Sequence, residues 1–490
     1  MSPNTIEWRV ASGEWLVARF LVDPQTRPSR TLKEMLKMSD YDLVLKNGLV
    51  VMGEAVVAAD VGVMGGKIAG IAHHLHGTEE IDCQGHIVTP GAVDVHVHLQ
   101  YPIGPLTTGD DFFTGTRAAA LGGTTTIIDF VEARPQQPLL DALHERHMLA
   151  AERAVIDYGF HMTITPTDIP KLDQVPAVVA AGCPSFKHYM AYSFRLHDGE
   201  LLQSFQAIRR AGGLPIVHAE NWDVIQALVR QNLAAGRTEP RWHPRSRPAL
   251  MEGEAAGRVI NLAALAETPV YIFHVSCQAV VERIAAARAQ GQPVYGETCP
   301  QYLLLDDSLF EQPGVAGALP ICSPPLRPRS EQAHLWAALA RGDLQVISTD
   351  HCPFWLADKA AALEDFSRIP GGVPSIESRF ALAYTFGVGA GRLSLSQWVA
   401  RCCTTPAQLM GLTHKGQIAV GYDADLVVFD PQWPVTLSTE TLHENVDWTL
   451  YAGRQLTGWP RHTLSRGRWL VRDGAFVGRP GQGQFVCRHF

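Results

Sequence analysis

The sequence lacks the features of a membrane protein and of a nucleic-acid-binding protein. It has no run of about 18 consecutive apolar residues, the length that a membrane-spanning helix needs. Basic residues are in the minority, with 41 Lys and Arg against 49 Asp and Glu. The net charge is therefore −8, and the chain offers no general basic surface for nucleic acid. These absences favour a small molecule or a protein as the partner.

Cysteine pairs at the spacing of a metal site are also missing. The chain has nine cysteines, an odd number, and no C-x-x-C pair. Cys402 and Cys403 are adjacent, which suits neither a disulfide framework nor a zinc finger. The first residues, MSPNTIEWRVASGEW, have neither the basic start nor the apolar core of a secretory signal. We therefore predict reduced thiols and a cytoplasmic protein that binds no membrane.

Two β-rich segments lie towards the two ends of the chain. From Tyr41, the stretch YDLVLKNGLVV alternates apolar residues, and its Asn47-Gly48 pair is typical of a hairpin turn. Runs of similar composition, GQIAVGYDADLVVFDP and SRGRWLVRDGAFVG, occur late in the chain. We predict that residues 41–90 and 413–478 combine into one small β-sandwich domain.

The middle of the chain, residues 91–412, alternates eight short apolar runs with stretches rich in Ala, Leu, Glu and Arg. Eight strand–helix units are the pattern of an α/β fold of the (β/α)8 TIM-barrel type. A doubly wound sheet is the competing fold, but no Gly-x-Gly-x-x-Gly follows the first run. The sequence therefore predicts a barrel, whose chemistry would collect at the carboxyl ends of the strands.

Two histidines lie one residue apart at the end of the first run, GAVDVHVHLQ. In a strand, residues i and i+2 face the same way, so His96 and His98 would point together into the barrel. A metal ion is the commonest partner that satisfies two imidazoles at once. A pair of loop or hydrogen-bonded core histidines is the plainer interpretation, so the hypothesis depends on further ligands.

Further candidate ligands follow later runs of the predicted barrel. Each has a plain interpretation by itself: a core histidine, a lysine at a strand end, or an aspartate capping the next helix. Together with the first pair they would converge on one rim. They are Lys187 in PSFKHYMAY, His218 in PIVHAEN, His274 in YIFHVS and Asp350 in VISTDHCP.

These stretches resemble the dihydropyrimidinase/D-hydantoinase family of cyclic amidohydrolases, within the amidohydrolase superfamily. The resemblance extends from about Tyr41 to Arg488, and residues 1–40 lie outside it as an N-terminal extension to which the sequence assigns no order. The matching stretches are DVHVHLQ, GDDFFTGTRAAALGGTTTIIDF, SFKHYMAY, VHAEN, CSPPLR, STDHCPF, AVGYDADLVVFDP and SRGRWLVRDGAFVGRPGQGQFVCR.

The resemblance implies two divalent metal ions per subunit, usually zinc, bridged by a lysine that CO2 has carboxylated on its side-chain nitrogen. Lys187 would be that bridge. One metal would be held by His96, His98, Lys187 and Asp350, and the other by Lys187, His218 and His274. A hydroxide shared by the metals would open the ring amide of 5,6-dihydropyrimidines or 5-substituted hydantoins, giving N-carbamoyl amino acids as in pyrimidine catabolism.

The resemblance also implies roles around the substrate. Asp350 would transfer the proton, Tyr192 would donate to the developing oxyanion, and the main chain at Ser323 and Gly371 would hold the ring. Family members are commonly homotetramers, and we expect the tail, residues 479–490, to contact another subunit.

Two departures from the family pattern leave alternatives open. Gly371 occupies the place of the usual asparagine, and SFRLHDGE after Tyr192 is unusual where the family covers the substrate's side chain. Allantoinase or another cyclic-ureide or imide hydrolase is the alternative enzyme, and a scaffold relative is disfavoured because every ligand position is filled. Dihydroorotase is disfavoured because Gln100 is neutral. We expect Tyr189 and Ile103 to form an apolar wall for a substituent on the ring.

Overall fold

The computed structural model describes residues 5–9, 15–19 and 41–490. The first two of these segments are strands, and Thr5–Arg9 pairs antiparallel with Trp15–Arg19. The rest of the predicted N-terminal extension lies outside the described residues. In the parts of the chain that are described, no helix is long and apolar enough to cross a membrane.

Eight parallel strands form the predicted barrel, in sequence order around the sheet. The last strand meets the first through a parallel bridge between Val97 and His351 and a 2.8 Å hydrogen bond from the His98 amide to the His351 carbonyl. The (β/α)8 prediction is confirmed. The strands are β1 (Ala92–Asp94), β2 (Thr124–Val131), β3 (Asp157–Thr163), β4 (Ser185–Tyr189), β5 (Leu214–His218), β6 (Val270–Ile272), β7 (Val294–Thr298) and β8 (Val346–Ile347).

The composition of these strands explains their position. Every residue of β2, TTTIIDFV, is buried, as expected where one face meets the barrel interior and the other meets helices. Val93, Ile128, Ile216 and Tyr271 pack together in one apolar cluster that closes the barrel below the rim. The floor of the site is therefore dry and tightly packed.

Helices connect the strands on the outside of the barrel. The α-helices are Phe112–Leu121, Leu139–Ala151, Val175–Ala180, Asp198–Arg210, Trp222–Ala234, Trp242–Arg245, Ala249–Leu265, Gln278–Ala289, Pro300–Leu304, Val315–Ala318, Ser330–Arg341, Leu356–Ala360, Arg379–Ala383, Leu395–Val399 and Thr405–Leu409. The 3-10 helices are Pro166–Gln174, Asp307–Glu311 and Phe366–Arg368, and the π-helical turns are Tyr384–Val388 and Ala400–Thr404.

A second sheet combines both ends of the chain. Strand Ile87–Pro90 joins them, because it pairs parallel with Tyr41–Met52 and antiparallel with Leu426–Thr436. A separate hairpin, Pro102–Ile103 with Leu106–Thr107, lies just after β1. The remaining strands of the second sheet are Ala55–Met64, Lys67–Ala72, Gly77–Asp82, Gln455–Ser465, Arg468–Arg472 and Ala475–Phe476.

The hairpin turn predicted at Asn47-Gly48 is wrong. Tyr41–Met52 is one continuous strand whose pairing shifts register between Leu45 and Gly48. Asn47 has φ 58°, a conformation that asparagine tolerates, and the extra residue is taken up as a bulge. An Asn-Gly pair can form a hairpin turn or a bulge, and the sequence alone favours the hairpin turn.

A buried ionic cluster joins the barrel to the second sheet. Nζ of Lys415 lies 2.5 Å from Asp157 at the start of β3, 2.7 Å from Asp425 and 2.9 Å from Asp423. Burial by itself would lower the pKa of Lys415, but the three carboxylates raise that pKa above its ordinary value. The Lys415 ammonium therefore occupies the position that a metal ion would take among these carboxylates.

The C-terminal tail packs on its own barrel over residues 483–489. The Val486 amide donates to the Tyr158 carbonyl at 2.8 Å, and the buried Arg488 donates to Ser185 Oγ at 2.8 Å. These contacts account for the packing of this part of the tail. The expected contact of the tail with another subunit stays a prediction.

Candidate metal centre and active site

The barrel brings all six candidate ligands to one cavity at the carboxyl ends of its strands. The cavity has a volume of about 360 Å³. In chain order, His96 and His98 follow β1, Lys187 lies within β4, His218 ends β5, His274 follows β6 and Asp350 follows β8.

His96, His98 and Asp350 form a compact group. Oδ1 of Asp350 lies 3.0 Å from Nε2 of His96 and 3.3 Å from Nε2 of His98. The donor atoms of the three residues all lie within 4.8 Å of one another. Burial would raise the pKa of Asp350, but the two imidazoles hold it well below its ordinary value. A carboxylate and two imidazoles at this spacing suit a divalent cation.

The other two histidines lie beside this group. The ring centroids of His218 and His274 are 4.5 Å apart, and the centroids of His274 and His96 are 5.4 Å apart. Burial lowers the pKa of His274 well below its ordinary value, which keeps the imidazole neutral. Neutral imidazole is the form that binds a metal.

Lys187 lies among these groups and has no carboxylate salt-bridge partner within the described residues. Its Nζ is 4.0 Å from the centre of the Phe273 ring and 4.8 Å from that of Tyr189. Burial lowers the pKa of Lys187 to about 7, against the opposing charges of Asp350 and Glu297. The uncharged amine is the form that can react with an electrophile.

Two carboxylates that the sequence interpretation missed orient the imidazoles. His96 Nδ1 lies 2.6 Å from Glu297, which also accepts from the Tyr271 hydroxyl at 2.9 Å. His218 Nε2 lies 2.8 Å from Glu220, which is paired with Arg247 at 2.5 Å. Such carboxylates fix the ring orientation and the tautomer of a ligating histidine. Glu220 lies in the quoted stretch VHAEN, whereas Glu297 on β7 had no spacing signal.

An unpartnered nitrogen in the site fits a metal ligand. Nδ1 of His274 is buried without a hydrogen-bond partner in the described part of the chain. A buried polar atom without a partner costs about 1–3 kcal/mol, so a ligand is expected to satisfy it. Four imidazoles and a carboxylate at one rim match the donor set that holds divalent metals.

The predicted substrate residues line the same cavity. Tyr192, Ser323 and Gly371 all contribute to its wall. Burial raises the pKa of Tyr192 above its ordinary value, so the phenol keeps its proton and can donate it in a hydrogen bond. Tyr192, His274 and Asp350 have φ of 74°, 40° and 53°, a backbone conformation that side chains rarely adopt outside constrained sites.

A buried lysine that the sequence did not indicate ties two segments of the wall together. Nζ of Lys359 donates to the carbonyls of Ile321 and Pro370, at 3.0 Å each. Those residues precede the predicted substrate contacts at Ser323 and Gly371. Lys359 therefore positions both main-chain segments, although it does not line the cavity itself.

The predicted apolar wall is present, and one expectation about charge fails. Tyr189 and Ile103 line the cavity, together with Phe194 and Trp222. Gln100 does not line it, so its neutrality carries no information about the charge of the substrate. The charged residue on that part of the wall is Glu132, immediately after β2.

Comparison with known proteins finds hydantoinases and a dihydropyrimidinase. The family model described as the amidohydrolase family matches residues 87–226 and 254–470. The chain is 45% identical over 452 residues to a D-hydantoinase of Geobacillus stearothermophilus, covering 91% of this chain and 96% of that protein. It is 40% identical over 458 residues to a D-phenylhydantoinase of Escherichia coli K12, covering 91% and 98%. The crystal structure of a dihydropyrimidinase from Brevibacillus agri superimposes with a TM-score of 0.89 at 44% identity, covering 91% and 98%.

Proposed function

The chain belongs to the amidohydrolase family and is a cyclic amidohydrolase, and from this premise we propose that it opens 5-substituted hydantoins and 5,6-dihydropyrimidines to N-carbamoyl amino acids. The observation that carries the proposal is the convergence of four imidazoles, Lys187 and Asp350 on one cavity that also holds a phenol and two main-chain segments. The names of the relatives support the same substrate class.

The donor set supports a site for two divalent metal ions, which we take to be zinc. His96, His98 and Asp350 would hold one ion, and His218 and His274 the other. Lys187, carboxylated by CO2, would bridge them. Neutral imidazoles cannot offset two double positive charges, whereas a carbamate adds a negative charge between them. When bound, the two metals would acidify a shared water and polarise the ring carbonyl.

The protein's own groups supply the remaining steps. Asp350 would accept the proton of the attacking water and deliver it to the ring nitrogen that leaves. The Tyr192 phenol would donate a hydrogen bond to the oxygen on which negative charge develops. Main-chain groups at Ser323 and Gly371 would hold the amide edge of the ring, and Lys359 keeps those two segments in place.

A panel of cyclic amides tests this proposal. Dihydrouracil, 5-phenylhydantoin, allantoin and dihydroorotate would be compared by kcat/KM with the purified protein, and Asp350→Asn would serve as the inactive control. The first two should be opened to N-carbamoyl products. Dihydroorotate should be at least ~100-fold less efficient than dihydrouracil, because the arginine that lines the cavity, Arg247, is already paired with Glu220 and leaves the substrate carboxylate without a partner. Preferred turnover of allantoin or dihydroorotate would contradict the proposal.

Assembly and location extend the proposal. By analogy with the family we propose a homotetramer that acts in the cytoplasm, and the absence of a basic surface supports a partner that is not nucleic acid. A monomeric mass in solution would contradict the assembly.

A further inference from the structure

Glu132 is an acidic side chain on the wall of the cavity, which Tyr189 and Ile103 also line. It follows the fully buried strand β2, yet it is itself exposed to the cavity. Burial is the main cause that raises the pKa of the Tyr101 and Tyr189 phenols, and the negative charge of Glu132 is the second cause. Both phenols line the cavity, so the carboxyl group lies beside the space that the substrate would occupy.

The neighbouring wall is aromatic, and the guanidinium near it, Arg247, is already paired with Glu220. The ring centroids of Tyr189 and Phe194 are 5.2 Å apart, and those of Tyr192 and Trp222 are 5.9 Å apart. Ile103 completes this wall. A flexible alkyl chain on the ring would pack along these side chains, and its far end could reach a charged group.

The cationic side chains near Glu132 already have partners. Arg146 is paired with Asp129 at 2.8 Å, and Lys171 is paired with Asp168 at 2.9 Å. Within the described residues, no lysine, arginine or histidine forms an ion pair with Glu132. Burial raises the pKa of Glu132, the charge of Asp168 raises it further, and the charge of Arg146 lowers it. The carboxyl group thus lies on the cavity wall without an ion-pair partner among the described residues, and a bound cation would supply one.

We propose that Glu132 is a specificity-determining residue, and that it selects hydantoins whose C5 substituent is an alkyl chain ending in an ammonium or guanidinium group. The inference rests on the proposed function and specifies its substrate class. The aromatic wall binds the chain of the substituent, and the carboxylate pairs with the cation at its end. The same carboxylate disfavours substituents that end in an anion, because two like charges would lie close together in one pocket.

A matched pair of substrates tests this role. 5-(4-Aminobutyl)hydantoin and 5-pentylhydantoin have side chains of the same length and differ in the terminal charge. We expect kcat/KM to favour the aminobutyl compound by about tenfold or more, the size of a hydrogen bond to a charged group. The difference in kcat/KM should come mainly from KM, because the cation is remote from the reacting bond. 5-(2-Carboxyethyl)hydantoin should be the poorest of the three.

Two variants and one control assign the preference to this residue. Glu132→Gln should abolish the preference for the aminobutyl compound, and Glu132→Lys should shift it towards the carboxyethyl compound. Glu152→Gln removes the same charge from an exposed position outside the cavity, and it should keep the wild-type ratio. Equal kcat/KM for the matched pair in the wild type, or an unchanged ratio in Glu132→Gln, would overturn the inference. Absence of turnover with every hydantoin would instead contradict the proposed function.

Discussion

Oδ1 of Asp350 lies 3.0 Å from Nε2 of His96, although the two residues follow the eighth and the first strand of the barrel. Closure of the barrel makes this contact possible. Asp94, on β1, accepts hydrogen bonds from the Thr349 amide at 3.2 Å and from the Thr349 hydroxyl at 2.7 Å. Thr349, the residue before Asp350, is therefore hydrogen-bonded to β1, the strand that precedes His96.

Asp94→Ala should impair the site without removing a ligand. Loss of its carboxylate frees Thr349 and leaves Asp350 less firmly placed beside His96. We expect metal affinity and kcat/KM to fall by about 10- to 100-fold, the range found when groups that orient metal ligands are removed. Metal analysis and steady-state kinetics on one preparation would check this. Wild-type values for both would show that the barrel closure does not position Asp350.

Lys359→Met should raise KM more than it lowers kcat. The variant removes the donor to the carbonyls of Ile321 and Pro370, so the two segments that hold the ring edge lose their connection. The reacting groups remain in place. Steady-state kinetics with dihydrouracil would measure the changes in KM and kcat separately. An unchanged KM would contradict the positioning role.

The same lysine gives a pH dependence of stability. Burial lowers the pKa of Lys359 from 10.5 to about 7 in the folded protein. Between pH 7 and pH 10.5, Lys359 is protonated in the unfolded chain and mostly neutral in the folded protein. Unfolding therefore takes up a proton, and raising the pH favours the folded state. The stability of the wild type relative to Lys359→Met should thus be lowest below about pH 7 and should rise from pH 7 towards pH 10. Urea unfolding of both proteins across this range would measure it, and a difference that falls with pH would contradict the assignment.

Lys415→Met should destabilise the protein by about 3–5 kcal/mol, the cost of leaving buried charges without their partner. Its ammonium pairs with Asp157, Asp423 and Asp425 at the junction of the barrel and the second sheet. Lys67→Met is the matched control, because Lys67 contacts Asp423 at 2.6 Å from an exposed position. The control should cost about 0–1 kcal/mol. Similar free energies of unfolding for the two variants would show that the buried cluster adds little.

Sequence patterns predicted the barrel and the candidate ligands at its rim because both follow local rules. A ligand that ends an apolar run lies at the carboxyl end of a barrel strand, so its position can be read without knowing its neighbours. Glu297 and Lys359 were missed because their roles depend on contacts between distant segments. Lys359, for example, acts through two carbonyl groups, which every residue possesses. The neutrality of Gln100 was used to disfavour dihydroorotase, whereas Gln100 does not line the cavity.

The metal content and the turnover of the wild type and of Lys187→Ala, measured on the same preparations, test the central claim most directly. Lys187 would supply the bridging side chain between the two halves of the ligand set. The account predicts about two divalent metal ions per chain and opening of 5-phenylhydantoin for the wild type, with loss of most metal and nearly all turnover in Lys187→Ala. Two metals per chain together with wild-type turnover in Lys187→Ala would contradict it.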